Sequence, residues 1–200
     1  RGQADALNSL AVMYYDAGVL DSALLNYQRS IILSKKLNYK QGLADTYNNL
    51  AFIYKSQLQY DTALYYHSKS IFLKKQIKNI NGIAGSLNNK GKIYFEKGKI
   101  NEAIKVYNLS LKYRDLANNE EGKAFTYSNI GLVYAKQNSP DSCFYYLNKA
   151  LEIHKKYNNQ KGIGNTLKYL GDYYMAIGQL SNAKIIYLES HEIAKKHNDL

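Results

Sequence analysis

The sequence predicts an all-α protein built from five tandem helix-turn-helix units. The chain of 200 residues matches itself when it is shifted by 40 residues, and glycines and tyrosines recur at that spacing. The recurring residues are Gly2, Gly42, Gly82, Gly122 and Gly162, and Tyr14, Tyr54, Tyr94, Tyr134 and Tyr174. Only one proline occurs, which favours long helices because proline removes a backbone donor. We therefore expect a single stack of repeats at about 1–40, 41–80, 81–120, 121–160 and 161–200.

The first half of each unit has the apolar spacing of one helical face. In the second unit, Tyr47, Leu50, Ala51 and Tyr54 lie at positions i, i+3, i+4 and i+7. The third of these positions is small in every copy: Ala11, Ala51, Gly91, Gly131 and Gly171. Since a glycine inside a helix costs about 1 kcal/mol relative to alanine, we expect a close helix crossing there.

A second helix follows a short turn in every unit. The turn is marked by residues that tolerate the left-handed conformation, Gly18, Gly98, Asn138 and Gly178, with Leu58 as the exception. We expect these residues to be N-caps or first-turn acceptors of the second helices: Asp21, Asp61, Asn101, Asp141 and Ser181. Asparagines in the loops that close the units suit helix ends and turns: Asn38, Asn79, Asn118, Asn119, Asn158 and Asn159.

The formal net charge of +11 has two interpretations. It is typical of proteins that bind an anionic partner such as nucleic acid. Alternatively, lysines in the last turns of the second helices neutralise the negative ends of the helix dipoles. These lysines are Lys35, Lys36, Lys74, Lys75, Lys155, Lys156, Lys195 and Lys196. We favour the second interpretation, because a nucleic-acid binder concentrates charge and aromatic residues on one face.

No pattern in the sequence predicts catalysis, a metal site or a cofactor. His67 and His154 are isolated, and His67 takes an apolar stripe position that indicates a packed core residue. Cys143 replaces a core alanine, so a buried thiol is favoured over a nucleophile. No apolar run approaches the roughly 20 residues that span a bilayer, so we expect no membrane contact by this segment.

The repeated pattern resembles the tetratricopeptide repeat. It reads Leu50-Ala51-x2-Tyr54 followed by Ala63 in the second unit, and Gly91-x2-Tyr94 followed by Ala103-x3-Tyr107 in the third. The unit is longer than the usual length of about 34 residues. It therefore resembles the long-repeat class of bacterial sensor histidine kinases, peptide-sensing regulators and kinesin light chains. The resemblance implies a right-handed α-solenoid whose first helices line a concave groove.

The resemblance also implies a peptide site in that groove. In the long-repeat class, asparagines on the first helices hydrogen-bond the backbone of an extended peptide, and Asn49, Asn89 and Asn129 form the matching ladder here. An amide suits this role because it both donates and accepts hydrogen bonds. The remaining groove residues that we predict are Asn8, Asn48, Asn88, Tyr15, Phe52, Lys92 and Phe95.

We therefore expect a non-catalytic protein-interaction scaffold that binds a peptide or protein segment. The resemblance implies the sensory or interaction region of a bacterial signalling protein, either a two-component kinase or a transcriptional regulator. A kinase input region would be periplasmic, and a regulator would be cytoplasmic. The alternatives are a basic nucleic-acid-binding helical repeat and a structural module that self-associates through uncapped ends. We expect the chain to be part of a longer protein.

Overall fold

A computed structural model describes residues 1–198 of the protein, with side chains through residue 195. Over these residues the chain forms ten helices and no strand, so the predicted all-α fold of tandem helix pairs is confirmed. The first helices of the pairs are α1 (Gly2–Asp16), α3 (Lys40–Ser56), α5 (Ile80–Glu96), α7 (Glu120–Lys136) and α9 (Gln160–Ala176). The second helices are α2 (Leu20–Lys36), α4 (Tyr60–Gln76), α6 (Ile100–Leu116), α8 (Pro140–Lys156) and α10 (Leu180–Asn198). Residues 199–200 and the side chain of Lys196 lie outside the described part.

The chain divides into two compact units, Arg1–Val106 (unit 1) and Tyr107–Leu200 (unit 2), with the division inside α6. In unit 1, α1 packs on α2 and α3 packs on α4. In unit 2, α7 packs on α8 and α9 packs on α10. Neighbouring pairs also touch through their first helices, α1 with α3 in unit 1 and α7 with α9 in unit 2. Each unit therefore stacks successive helix pairs in two layers, one of first helices and one of second helices.

The small residues of the first helices lie where the two helices of a pair cross. Ala11 and Ala51 are fully buried in unit 1. In unit 2, a Cβ atom added at Gly131 would lie 2.6 Å from Cδ2 of Leu147. An alanine there would require that side chain to move, so the predicted close crossing is confirmed.

The turn within each described pair ends the first helix with a residue of positive φ. This residue is Gly18, Gly98 or Gly178 in three pairs, Leu58 in the second and Asn138 in the fourth. Leu58 has a φ of 60°, a region that costs an ordinary side chain roughly 1–2 kcal/mol. The second helix pair therefore carries local strain that the three glycine-containing pairs avoid.

The residues predicted as N-caps or first-turn acceptors of the second helices lie in the first turn, two residues after the N-cap. α2, α4 and α8 begin at Leu20, Tyr60 and Pro140, so the residues before these are the N-caps and Asp21, Asp61 and Asp141 lie in the first turn. The N-cap side chains of these three helices accept no capping hydrogen bond. The carboxylates act instead through their charge, which complements the positive end of the helix dipole.

Loop asparagines cap the following first helices. The side chains of Asn79 and Asn159 accept hydrogen bonds of 2.8 Å from the N–H groups of Gly82 and Gly162. A Cβ atom at Gly82 would lie 2.8 Å from the Asn79 side chain, which accounts for the recurring glycine. Asn79 also donates to Oε1 of Gln41 at 3.2 Å, in the preceding repeat. The preceding loop residues Asn38, Asn118 and Asn158 have positive φ, as predicted.

Candidate functional site

Nine of the ten predicted groove residues lie on the first helices of unit 1. We use the name first-helix face for the side of α1, α3 and α5 that carries Asn8, Tyr15, Asn49, Phe52 and Asn89. Side chains on neighbouring first helices meet across this face at sequence separations of 41 residues. The Asn49 Nδ2 donates to Asn8 Oδ1 at 3.2 Å, and Lys55 Nζ lies 2.6 Å from Glu96 Oε1. The face is therefore held together by polar contacts between repeats.

An aromatic pair lies beside the amides. The rings of Tyr15 and Phe52 meet edge to face, with centroids 5.8 Å apart and an interplanar angle of 80°. The Tyr15 Oη donates to Ser56 Oγ at 2.8 Å, which fixes the tyrosine ring against α3. Phe52 nevertheless remains 56% exposed. A large apolar side chain held in one orientation and left open to solvent is a suitable contact for a partner.

The predicted groove asparagines fall into two groups. Some are hydrogen-bonded or buried within the protein, and others can still form hydrogen bonds with a partner. Asn48 accepts a hydrogen bond of 3.2 Å from Ser86 Oγ, which itself accepts from the buried Lys74. Asn88 is buried, with 7% of its surface exposed. Asn89 is partly exposed, and its amide has no hydrogen-bond partner among the residues that the structure describes. Asn89, together with the unused N–H of Asn49, therefore offers hydrogen-bonding capacity on this face.

Three charged side chains continue the face beyond the aromatic pair. Lys55 pairs with Glu96, and both are partly exposed at the side chain. Burial lowers the pKa of Lys92, nearby Lys55 lowers it further, and Glu96 acts in the opposite direction. Phe95 lies next to Glu96 on the same helix and is partly exposed. Sequence reasoning missed Ser56 and Glu96, because each lies 41 residues from its partner and the sequence comparison used positions 40 apart.

The tenth predicted residue, Asn129, lies in unit 2 and is 5% exposed. Its neighbour Ser128 is hydrogen-bonded to Thr166 at 2.8 Å between the two hydroxyl oxygens, which joins α7 to α9. The outer side of these first helices carries Phe125, 40% exposed, whose ring meets that of His154 edge to face. The ladder asparagine of unit 2, Asn129, is therefore buried within the packed helices.

The residues that we considered for chemistry are buried. His67 is 2% exposed, and burial lowers its pKa to about 3, with Lys74, Lys90 and Lys55 contributing in the same direction. Burial raises the pKa of the Cys143 thiol to about 11, so this thiol stays protonated at neutral pH. No group of three or more His, Cys, Asp or Glu side chains suited to a metal occurs in the described residues. None of the helices over residues 1–198 has the combined length and apolar character needed to cross a membrane.

Comparison with known sequences agrees with the helix-pair architecture. One sequence profile of the tetratricopeptide repeat matches residues 82–156 and 122–196, and a second profile of this repeat matches residues 3–38. Together these matches cover more than half of the chain. No curated protein sequence matches it.

Solved structures share the fold at low sequence identity. BtubC (BKLC) from P. vanneervenii superposes with a TM-score of 0.79 at 19% identity, over 98% of this chain and 81% of that protein. A signal transduction ATPase with numerous domains from Pyrococcus horikoshii, which has a tetratricopeptide repeat sensor, gives 0.78 at 18% identity, over 96% of this chain and 30% of that one. A Rap protein complexed with competence and sporulation factor superposes with a TM-score of 0.77 at 12% identity, over 99% of this chain and 65% of that protein.

Proposed function

Because the chain belongs to the tetratricopeptide repeat family, we propose that it is an interaction scaffold whose first-helix face binds an extended peptide segment of a partner protein. The repeat is a protein-interaction fold and is typically non-catalytic. The observation that carries the proposal is the open amide of Asn89, at the position one repeat after Asn49, together with the exposed ring of Phe52 on α3. The similar Rap protein is known in complex with competence and sporulation factor, which supports a partner of this kind.

The chemistry of the face suits a peptide backbone. An extended peptide presents N–H and C=O groups at every residue, and a side-chain amide can satisfy one of each. The two amides of Asn49 and Asn89 lie in successive repeats, so they can bond the same strand at two points. Because these bonds go to the backbone, they contribute affinity with little dependence on the peptide sequence. Selectivity would come from the apolar side chain that packs on Phe52 and Tyr15.

The proposal is tested with peptides selected from a random displayed library on the whole chain. We expect the double variant Asn49→Ala/Asn89→Ala to bind the selected peptides about thirtyfold more weakly, since two hydrogen bonds of roughly 1 kcal/mol each are lost. Phe52→Ala should weaken binding further. Fluorescence anisotropy with labelled synthetic peptides measures the dissociation constants.

A matched control uses asparagines outside this face. Asn108→Ala/Asn148→Ala removes two exposed amides from second helices and should leave affinity unchanged. Methylating the backbone nitrogens of a selected peptide should weaken binding to the parent chain but not to the Asn49→Ala/Asn89→Ala variant. Equal affinity of the parent and the first-helix variants would exclude this face as the peptide site.

We further propose that the chain is the sensory or interaction region of a bacterial signalling protein. The support for a sensory role is that the similar Pyrococcus horikoshii protein has a tetratricopeptide repeat sensor. The test is to determine the complete reading frame that encodes this chain. A kinase or DNA-binding output region in the same reading frame would support the proposal, and a reading frame of repeats alone would contradict it.

A further inference from the structure

The second helices of unit 1 carry large apolar side chains on their solvent side. Leu25 and Ile32 lie seven residues apart on α2, and Tyr65 and Phe72 have the same spacing on α4. They are 47%, 60%, 54% and 62% exposed, respectively. Side chains seven residues apart in a helix lie on one face, so each helix presents an apolar row. We call these two rows the outer ridges of unit 1.

A cation lies between the two apolar residues of each ridge. Arg29 follows Leu25 by four residues on α2, and Lys69 follows Tyr65 by four on α4. The acidic residues of these helices, Asp21 and Asp61, are confined to the first turns, and Asp61 pairs with Lys97 at 2.5 Å. Unit 1 as a whole has 15 lysines and arginines against 7 acidic residues. The ridges are therefore both apolar and basic.

A surface cavity of about 250 Å³ is lined by the two helices that carry the ridges, together with α3. Its lining comes from α2, α3 and α4: Leu24, Gln28, Ile31, Leu50, Tyr54 and Tyr66. Three aliphatic side chains, two tyrosines and the amide of Gln28 form these walls, which suit one large apolar side chain of a partner. A concave site on the helices that carry the ridges also favours a protein partner over a lipid surface, because a lipid surface would suit a protruding apolar face better.

The wall formed by α4 is rigid because a tyrosine cluster holds it. Tyr66 stacks on Tyr54 with centroids 5.4 Å apart and planes 5° apart, and it meets Tyr65 edge to face. The Lys69 Nζ lies 4.4 Å from the Tyr65 ring centroid and 5.4 Å from that of Tyr47. The cation and the rings are therefore positioned before any partner arrives, which lowers the entropy lost on binding.

Unit 2 shows that the ridges are not required by the fold. Its α8 has the same cluster, with Tyr146 stacked on Tyr134 at 5.5 Å and Lys149 over Tyr127 and Tyr145. However, the position of Phe72 is taken by Glu152 there, and that of Ile32 by Glu192 on α10. Both glutamates are exposed. Since the same helix position accepts a carboxylate, packing within the repeat does not account for Ile32 and Phe72.

We propose that the outer ridges of unit 1 are a second docking surface, which binds an acidic amphipathic helix of a partner protein. The partner helix lies between α2 and α4, places one large apolar side chain in the cavity, and directs carboxylates to Arg29 and Lys69. A second copy of this chain fits less well, because unit 2 also has an excess of basic residues, 12 against 9 acidic ones. This surface is separate from the first-helix face.

The probe is a displayed library of 14-residue helical peptides randomised on one face, selected on the whole chain. We expect the enriched peptides to combine aspartate or glutamate with large apolar residues at i, i+3 and i+4 spacing. Ile32→Glu/Phe72→Glu should weaken their binding at least tenfold, measured by fluorescence anisotropy, and raising the salt concentration should weaken binding to the parent. This variant should fold normally, because glutamate occupies the same positions in unit 2.

Two control variants separate this surface from other sites. Leu188→Glu places a carboxylate on an exposed apolar position of α10 and should leave the affinity unchanged. Asn49→Ala/Asn89→Ala should also bind the enriched peptides normally, so the result does not depend on the first-helix face. The proposal is overturned if the enriched peptides lack carboxylates or bind the Ile32→Glu/Phe72→Glu variant equally. It is also overturned if no peptide is enriched and the parent chain instead dimerises or binds phosphatidylserine vesicles, while the Ile32→Glu/Phe72→Glu variant does neither.

Discussion

The helix pairs α3–α4 and α7–α8 carry the same tyrosine and lysine cluster 80 residues apart, but they present different surfaces. In both pairs two tyrosines stack almost in parallel, and a third meets one of them edge to face. A lysine lies over this third ring and over a tyrosine of the first helix. One turn further along the second helix, unit 1 has Phe72 and unit 2 has Glu152. The shared part indicates what the repeat needs for packing. The part that differs indicates where selection for a partner can act.

The largest effect on stability that we expect comes from removing the stacked tyrosine of the second helix, which is Tyr66 in α4 and Tyr146 in α8. Tyr66→Ala and Tyr146→Ala should each lower the free energy of unfolding by about 3 kcal/mol, because each loses a partly buried ring that stacks on a neighbouring tyrosine. Urea denaturation followed by circular dichroism measures the loss. The exposed neighbours provide the control, since Tyr65→Ala and Tyr145→Ala should cost clearly less. If Tyr66→Ala and Tyr146→Ala differed in this loss by more than about 1 kcal/mol, the two clusters would not be equivalent.

A second difference concerns His67, whose place in α8 is taken by Leu147. Burial lowers the pKa of His67 from its ordinary value of 6.5 to about 3 in the folded protein. The unfolded chain therefore binds more protons between these two pH values, and the free energy of unfolding falls as the pH drops below 6.5. From this histidine alone we expect a loss of about 2 kcal/mol between pH 7 and pH 5.

His67→Leu tests this assignment because leucine already occupies the same position in unit 2. The variant should lose less stability between pH 7 and pH 5 than the parent, in thermal melts at both pH values. Some pH dependence should remain, since burial also lowers the pKa of His154 in unit 2. Parallel pH profiles for parent and variant would show that His67 is not buried in its neutral form.

The turns of these two pairs differ in a way that should allow stabilisation. Leu58 and Asn138 occupy the same turn position, and both have positive φ. Leu58→Gly should raise the free energy of unfolding by about 1 kcal/mol, because glycine removes the steric cost of that conformation. Asn138→Gly should give a smaller gain, since asparagine tolerates the left-handed region. Differential scanning calorimetry measures both changes, and a decrease in melting temperature for Leu58→Gly would contradict the strain that we assign.

The smallest effect on stability should come from exchanging the residues that distinguish the two surfaces. Phe72→Glu and Glu152→Phe each change an exposed side chain, so the free energy of unfolding should move by less than about 0.5 kcal/mol. Binding should respond much more strongly, with loss of the acidic peptides in Phe72→Glu. A destabilisation of Phe72→Glu well above this limit would show that the phenylalanine is needed for packing.

Most of the fold followed from the 40-residue period, because helix lengths, turns and small crossing residues recur in step with it. The period does not determine the contacts between neighbouring helices. Asn49 meets Asn8 at an offset of 41 residues and Ser86 meets Asn48 at 38, since these offsets depend on how the helices are shifted and inclined. For the same reason, equivalent ladder positions differ in burial, with Asn129 buried and Asn89 partly exposed. The assignment of these asparagines to a peptide site stays a prediction.

The loop asparagines that cap the first helices have a consequence for how the protein folds. Asn79 caps α5 and also bonds Gln41, and Asn159 caps α9 and also bonds Glu121. The cap is positioned by the preceding repeat, so its free energy belongs to the interface between repeats as well as to the helix itself. In nearest-neighbour terms, this increases the coupling between repeats at the expense of their intrinsic stability. Adjacent repeats should therefore melt together, and local opening of α5 should require α3 to loosen as well.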